Sequence, residues 1–122
     1  MKVLFSINPE HVQSILSGKK QVEYRKTICR RPVDTVLIYS TSPVQMVVAQ
    51  AKLKKVLVDA PDNIWELTKE KSGISHKFFM DYFARKKYAV AYELEDIEKF
   101  PEPKPLQDFG LGYVPQSFAY VS

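Results

Sequence analysis

The run Ser17-Gly18-Lys19-Lys20-Gln21-Val22-Glu23-Tyr24-Arg25-Lys26 constrains this chain more than any other stretch. Gly18 can take the left-handed conformation without steric cost, so it stops a preceding helix and turns the chain abruptly into a strand. In that strand Gln21, Glu23 and Arg25 fall on one face, and Val22 and Tyr24 on the other. A lysine at the mouth of the turn, followed by a carboxylate and a guanidinium on one strand face, can grip a polar planar ligand. The same spacing also fits an ordinary surface ion pair beside a core-facing Val22 and Tyr24.

The flanking segments place that strand in a mixed domain. Residues 2–7 read as a buried strand. Asn8-Pro9-Glu10 then opens a helix, with Asn8 as cap, Pro9 at the first position and Glu10 at the positive end. Val12, Ile15 and Leu16 form its apolar stripe. A basic loop, 26–32, leads to a strand at 35–40 whose continuous apolar run predicts burial on both faces. The turn Ser40-Thr41-Ser42-Pro43 follows, then a long strand at 44–59 that must bend or bulge.

Two helices come next. The first, 61–71, is expected to turn Ile64, Trp65 and Leu67 inward; the second is capped by Ser75 and packs Phe78, Phe79, Tyr82 and Phe83 into the core. A strand spans 88–100, after which Pro101, Pro103 and Pro105 predict an irregular connector outside the sheet. The tail, 113–121, supplies a last short strand. The pattern is α+β: five or six mostly antiparallel strands with an early helix and an inserted helical pair, forming a small closed or half-closed β-barrel rather than an open sheet.

At 122 residues, 45% hydrophobic and 26% charged, the chain makes one soluble domain, 1–122, with a core large enough to need no disulfide or metal. Its formal charge of +4 permits a polyanionic partner without demanding one. Cys29 is the only cysteine, which fits a reducing cytoplasm. Cys29, His11 and His76 are too few for a zinc site, and no Ser/His/Asp arrangement or phosphate-cradling glycine loop is present; no metal or cofactor is expected. No secretory signal opens the chain, and no apolar run approaches the ~20 residues that span a bilayer, so no membrane association is expected.

Lys20, Glu23 and Arg25 are the lead constellation. Arg25 offers a fork to phosphate or a base edge, Glu23 accepts from amino groups, and Lys20 neutralises phosphate or, with a pKa depressed by burial, acts as a base. On this reading Arg25→Ala weakens binding and leaves the fold intact. Ser40, Thr41 and Ser42 can line a pocket with hydroxyls. Lys26, Arg30 and Arg31, with the run Lys52/Lys54/Lys55, can attract a phosphate backbone. Tyr24, Tyr39, Phe118 and Tyr120 are the expected base stackers, while His11 and His76 read as surface residues.

The segment Gly18-Lys19-Lys20-Gln21-Val22-Glu23-Tyr24-Arg25 resembles the Gly-x-Lys-x-x-Glu-x-Arg signature of the ASCH domain, in the PUA-like superfamily. The element order, the Tyr39-Ser40-Thr41-Ser42-Pro43 turn and the Pro115-Gln116-Ser117-Phe118 tail extend the likeness to the whole chain, as in small stand-alone ASCH proteins. The resemblance implies a PUA-like β-barrel with a cleft beside the first helices, lined by Lys20, Glu23 and Arg25; Tyr39, Ser40, Thr41, Ser42, Gln116 and Ser117 are further candidate ligand-binding residues. It implies RNA or a nucleotide as partner, a modified base included, and a regulatory role in transcription or translation.

One ASCH-like branch is catalytic. Its small amidohydrolases act on N4-acetylcytidine and use a lysine matching Lys20, a threonine at the place of Glu23 and a glutamate in the helical insertion. Here Glu23 replaces the threonine, and no carboxylate stands at 72–74. A binding domain is therefore the leading reading. The rivals are a hydrolase, an amidohydrolase or ribonuclease with Lys20 and Glu23 as its catalytic pair, and a protein-interaction module of a coactivator.

Overall fold

Alternation along β1 (Lys2–Ile7) sets the interior. Val3, Phe5 and Ile7 enter the main core, and Leu4 points to the opposite face, where it joins a second cluster. β3 (Thr35–Ser40) alternates in step: Val36 and Ile38 face the main core, Leu37 and Tyr39 the second cluster. The computed structural model describes residues 1–122.

Between these two strands run α1 (Pro9–Leu16) and β2 (Val22–Arg25). They form the crossover that lets β1 and β3 pair in parallel. α1 covers the main core with Val12 and Ile15. Gly18 ends this segment at φ +85°, as the sequence predicts. Asn8 does not cap α1 with its side chain; its Oδ1 accepts instead from Thr41 Oγ1 at 3.3 Å.

β4 (Met46–Asp59), β5 (Ala89–Lys104) and β6 (Phe118–Val121) complete a six-stranded sheet in the order β2-β5-β4-β3-β1-β6. Every pairing but β1–β3 is antiparallel. The register of β4 shifts against both its neighbours, the bulges expected of a strand that long. The sheet curls into a half-barrel, the small barrel architecture anticipated from the strand pattern.

α2 (Pro61–Thr68), a single 3-10 turn at Lys69–Lys71 and α3 (His76–Tyr82) sit on β2 and β5 over a third cluster that includes Val22, Tyr24, Ile64, Phe79 and Phe83. Ser75 caps α3, accepting from the Phe78 N–H at 3.0 Å.

Two further expectations fail for local reasons. Leu67 is exposed, because at about 100° per residue the buried stripe of α2 runs through Ile64 and Thr68 with Trp65 beside it. Pro101 and Pro103 lie within β5 rather than in a connector outside the sheet. β2 pairs only with residues 90–93, so further along β5 has β4 on one side and a free edge on the other, where a proline costs no ladder bond.

Candidate functional site

β2 is buried along its whole length, including its charges. Val22 and Tyr24 face α2 and α3, while Glu23 and Arg25 turn toward the barrel mouth, where the Arg25 guanidinium lies 4.6 Å from the centre of the Phe5 ring. The alternation read from the sequence holds, but the polar face is an interior one. The surface ion pair is thereby excluded.

Arg25 uses all five of its N–H groups inside the protein. Nε and Nη2 donate to Glu23 Oε2 at 3.2 and 2.9 Å, and Nη2 also donates to the Ser6 carbonyl at 2.9 Å. Nη1 donates to the carbonyl and hydroxyl of Ser117 at 3.2 and 3.1 Å. The fork assigned to a ligand is thus occupied by the fold.

Lys20 is different. Its Nζ donates to the Ser72 carbonyl at 3.1 Å, stands 3.9 Å from Glu23 Oε1 and lies over the Tyr24 ring at 4.9 Å. An ammonium has three N–H groups, so donor capacity remains. Burial pushes its pKa below the ordinary lysine value; the Glu23 carboxylate opposes that fall and the Arg25 guanidinium adds to it. Burial likewise raises Tyr24 to about 12, and its hydroxyl pairs with Thr68 Oγ1 at 2.7 Å.

These groups floor a cleft of about 180 Å³. The end of β1 and the start of α1 supply one wall through Ser6, Asn8 and His11; Ile74, Phe78 and Tyr82 supply the other. Glu23 is the sole carboxylate in the lining. No three His, Cys, Asp or Glu side chains converge anywhere as a metal-ligand set.

The close approach of the 72–74 turn depends on Gly73, which has φ +66°. A Cβ there would lie 2.5 Å from Lys20 Cβ and 2.9 Å from Lys20 Cα. The turn therefore presses its backbone onto the lysine and offers it a carbonyl rather than a carboxylate.

Of the other predicted site residues, Ser117 meets Arg25, and Lys26 reaches the rim, its Nζ 4.5 Å from the centre of the Tyr82 ring. Tyr39 is buried in the second cluster and cannot stack on a ligand. Ser40 is buried, Ser42 and Gln116 are exposed, and none of them lines the cleft. Thr41 stands one step behind the wall, against Asn8. Arg30 and Arg31 are tied by their backbone N–H groups to the Tyr120 hydroxyl, away from the lining.

Sequence reasoning missed His11, Phe78 and Tyr82. His11 packs edge-on against Phe78 at 5.5 Å, and Phe78 is 47% exposed, so the aromatic face of α3 is divided between core and cleft. The available signal was spacing: Phe78 and Tyr82 are four apart, as are Phe79 and Phe83, which makes two adjacent ridges rather than one.

Comparison with known proteins agrees with this architecture. The sequence is 30% identical over 96 residues to an ASCH domain-containing ribonuclease of Zymomonas mobilis, covering 78% of this chain and 65% of that protein. The crystal structure of ASCH from Zymomonas mobilis matches with a TM-score of 0.89 at 27% identity, covering 99% of this chain and 87% of that one. Two Ureaplasma parvum proteins align over 98% of the chain: ATP synthase subunit alpha at 32% identity and large ribosomal subunit protein uL22 at 30%. The chain spans only 15% and 39% of their lengths, a domain's worth of each. Residues 1–114 match the family described as a domain of unknown function, DUF365. By sequence the chain belongs to the DUF365 family, and by fold it is an ASCH-domain, PUA-like protein.

Proposed function

We propose that the protein is a cytoplasmic RNA-binding domain whose cleft holds one base of a single-stranded RNA, a modified base included, over Lys20 and Glu23. One observation carries the reading. Within the buried triad Arg25 is saturated by the protein, whereas Lys20 Nζ and Glu23 Oε1 keep unused capacity at the floor of an aromatic-walled cleft. Splayed single-stranded bases are read in this way, by stacking on aromatic rings and by hydrogen bonds to their edges. Phe78 supplies the exposed ring, and Lys26 at the rim with the net positive charge supplies attraction for phosphate. Binding without turnover suits a regulator of transcription or translation.

The test is fluorescence anisotropy with short single-stranded RNAs, run beside a panel of natural and modified nucleosides. Affinity is expected to fall steeply with salt and to drop about tenfold or more in Lys20→Ala, the scale of one lost charge-assisted contact. Unchanged affinity in Lys20→Ala overturns the site.

A second reading, RNA cleavage, is favoured by His11 and Lys20 facing one cleft and by the name of the Zymomonas relative. Neutral Lys20 would take the proton of a ribose 2′-hydroxyl, whose oxygen attacks the adjacent phosphorus. The 5′-oxygen would leave with a proton from His11, giving a cyclic phosphate and a free hydroxyl. Mass spectrometry of RNA incubated with the protein reads that product and, in parallel, acetate release from N4-acetylcytidine. Product that persists in both Lys20→Ala and His11→Ala overturns this assignment.

A further inference from the structure

A second polar cavity, of about 250 Å³, opens on the β5 side of β2 and shares no residue with the cleft. Glu93 lies in its floor, opposite Val22 of β2 and Lys55 of β4. Its side chain is 5% exposed. Oε1 accepts from Lys71 Nζ at 3.3 Å, but Oε2 has no hydrogen-bond partner, and the nearest cation, Lys55 Nζ, stands 3.6 Å away. A carboxylate this deeply buried ordinarily has both oxygens satisfied.

The groups around it define what would satisfy it. Lys55 and Lys71 are 56% and 40% exposed and keep N–H groups to spare, and Lys54 stands on the rim. Glu95 and Asp96 also line the cavity, with Asp96 facing Lys52 at 3.8 Å, so four lysines stand around three carboxylates and the local charge is small. A free phosphate has little to gain there.

An acceptor-only carboxylate flanked by ammonium donors matches an edge that presents two donors beside an acceptor. Guanine presents that edge: N1–H and N2–H face the carboxylate, and O6 faces a lysine. Adenine and cytosine set a ring lone pair next to their amine, against the carboxylate. A guanidinium would also satisfy Glu93, but it has no acceptor for the flanking ammonium groups, which the guanine O6 supplies.

We propose that this cavity is a guanine-binding subsite in which Glu93 receives N1–H and N2–H, and the half-exposed Lys55 swings off Oε2 to donate to O6. The proposal rests on the RNA reading above and names a base it selects. Consecutive residues serve the two cavities: Lys71 reaches Glu93, while the Ser72 carbonyl holds Lys20.

Backbone amide shifts of the intact protein, followed by NMR during titration with guanosine, adenosine or cytidine monophosphate, test it; arginine amide is a separate arm. Shifts at Gln21, Lys71 and residues 93–96 are expected to saturate with the guanine nucleotide at about tenfold lower concentration than with the others. Glu93→Gln, which keeps the shape but sets an amide N–H₂ against guanine's donors, should abolish that preference. If it does not fold, Lys55→Ala at an exposed side chain should weaken the guanine response about tenfold. Equal response to all three nucleotides, shifts confined to cleft residues, or a response to arginine amide alone overturns the proposal. A guanine response that survives Phe78→Ala supports it even where RNA binding in the cleft is lost.

Discussion

Arg25 on β2 and Ser117, the residue just before β6, join the two free edges of the sheet: one Nη1 donates to both the carbonyl and the hydroxyl of Ser117, at 3.2 and 3.1 Å. No backbone ladder links these strands. A side chain bridges the two edges of the half-barrel there, and the same guanidinium binds Ser6 on β1 and fixes Glu23 at the cleft floor. Closure of the fold and orientation of the site are one structure.

Arg25→Ala should therefore act on stability first. It leaves the Glu23 carboxylate buried with only Lys20 nearby, a loss expected to cost about 3–5 kcal/mol. Arg25→Lys should recover little, since an ammonium cannot reproduce five N–H contacts in a planar fork. Urea unfolding measures both. A loss below about 1 kcal/mol in Arg25→Ala would be the scale of a surface ion pair and would remove Arg25 from its closing role.

The strand of the motif, its alternation and the Gly18 stop were legible in the sequence because they depend on local geometry alone. The role of Arg25 was not. Its partners Ser6 and Ser117 are 19 and 92 residues away, and no spacing rule brings them to β2. The inward Tyr39 and the cleft-facing Phe78 were misplaced for the same reason: periodicity shows which residues share a face, not what covers it. Pro101 was misplaced because edge and interior strands look alike until the pairing is known.

Gly73 and Gly18 both have positive φ, yet their alanine variants should differ. A methyl added at Gly18 would meet no heavy atom within 4 Å, so Gly18→Ala carries only the left-handed strain, about 1–2 kcal/mol. Gly73→Ala adds a clash with the Lys20 backbone at 2.9 Å, which no rotamer relieves. It should cost more than Gly18→Ala and should also weaken RNA binding by displacing Lys20. Thermal unfolding and anisotropy on the two variants check this; equal losses in both would mean that the 72–74 turn does not position the lysine.

Phe78 and Phe79 are adjacent and should separate binding from folding. Phe79 is fully buried, so Phe79→Ala should destabilise by about 3–5 kcal/mol. Phe78 is half-exposed beside His11, and Phe78→Ala should leave stability within about 1 kcal/mol while removing a stacking contact worth about 1–3 kcal/mol of RNA affinity. Urea unfolding paired with RNA titration resolves the two effects. Full affinity in Phe78→Ala would dismiss α3 as the stacking wall.

Lys20 should give the protein a pH dependence that no exposed lysine would produce. Burial lowers its folded-state pKa below the unfolded value of 10.5, so between the two the unfolded chain binds more protons. The cost of burying the charge is present in full below the folded pKa and is relieved as pH rises toward 10.5, so Lys20 makes stability increase with pH across that window. Tyr24 acts in the opposite direction and later: its raised pKa, about 12, makes stability fall from about pH 10 upward, as the unfolded tyrosine ionises first. Binding should follow the Lys20 charge instead, weakening with pH before ordinary lysines titrate. Comparing wild type with Lys20→Met isolates the stability slope, and Lys20→Arg, charged throughout, should flatten the binding profile. A binding profile with the same midpoint in wild type and Lys20→Arg would show that the titrating group is not Lys20.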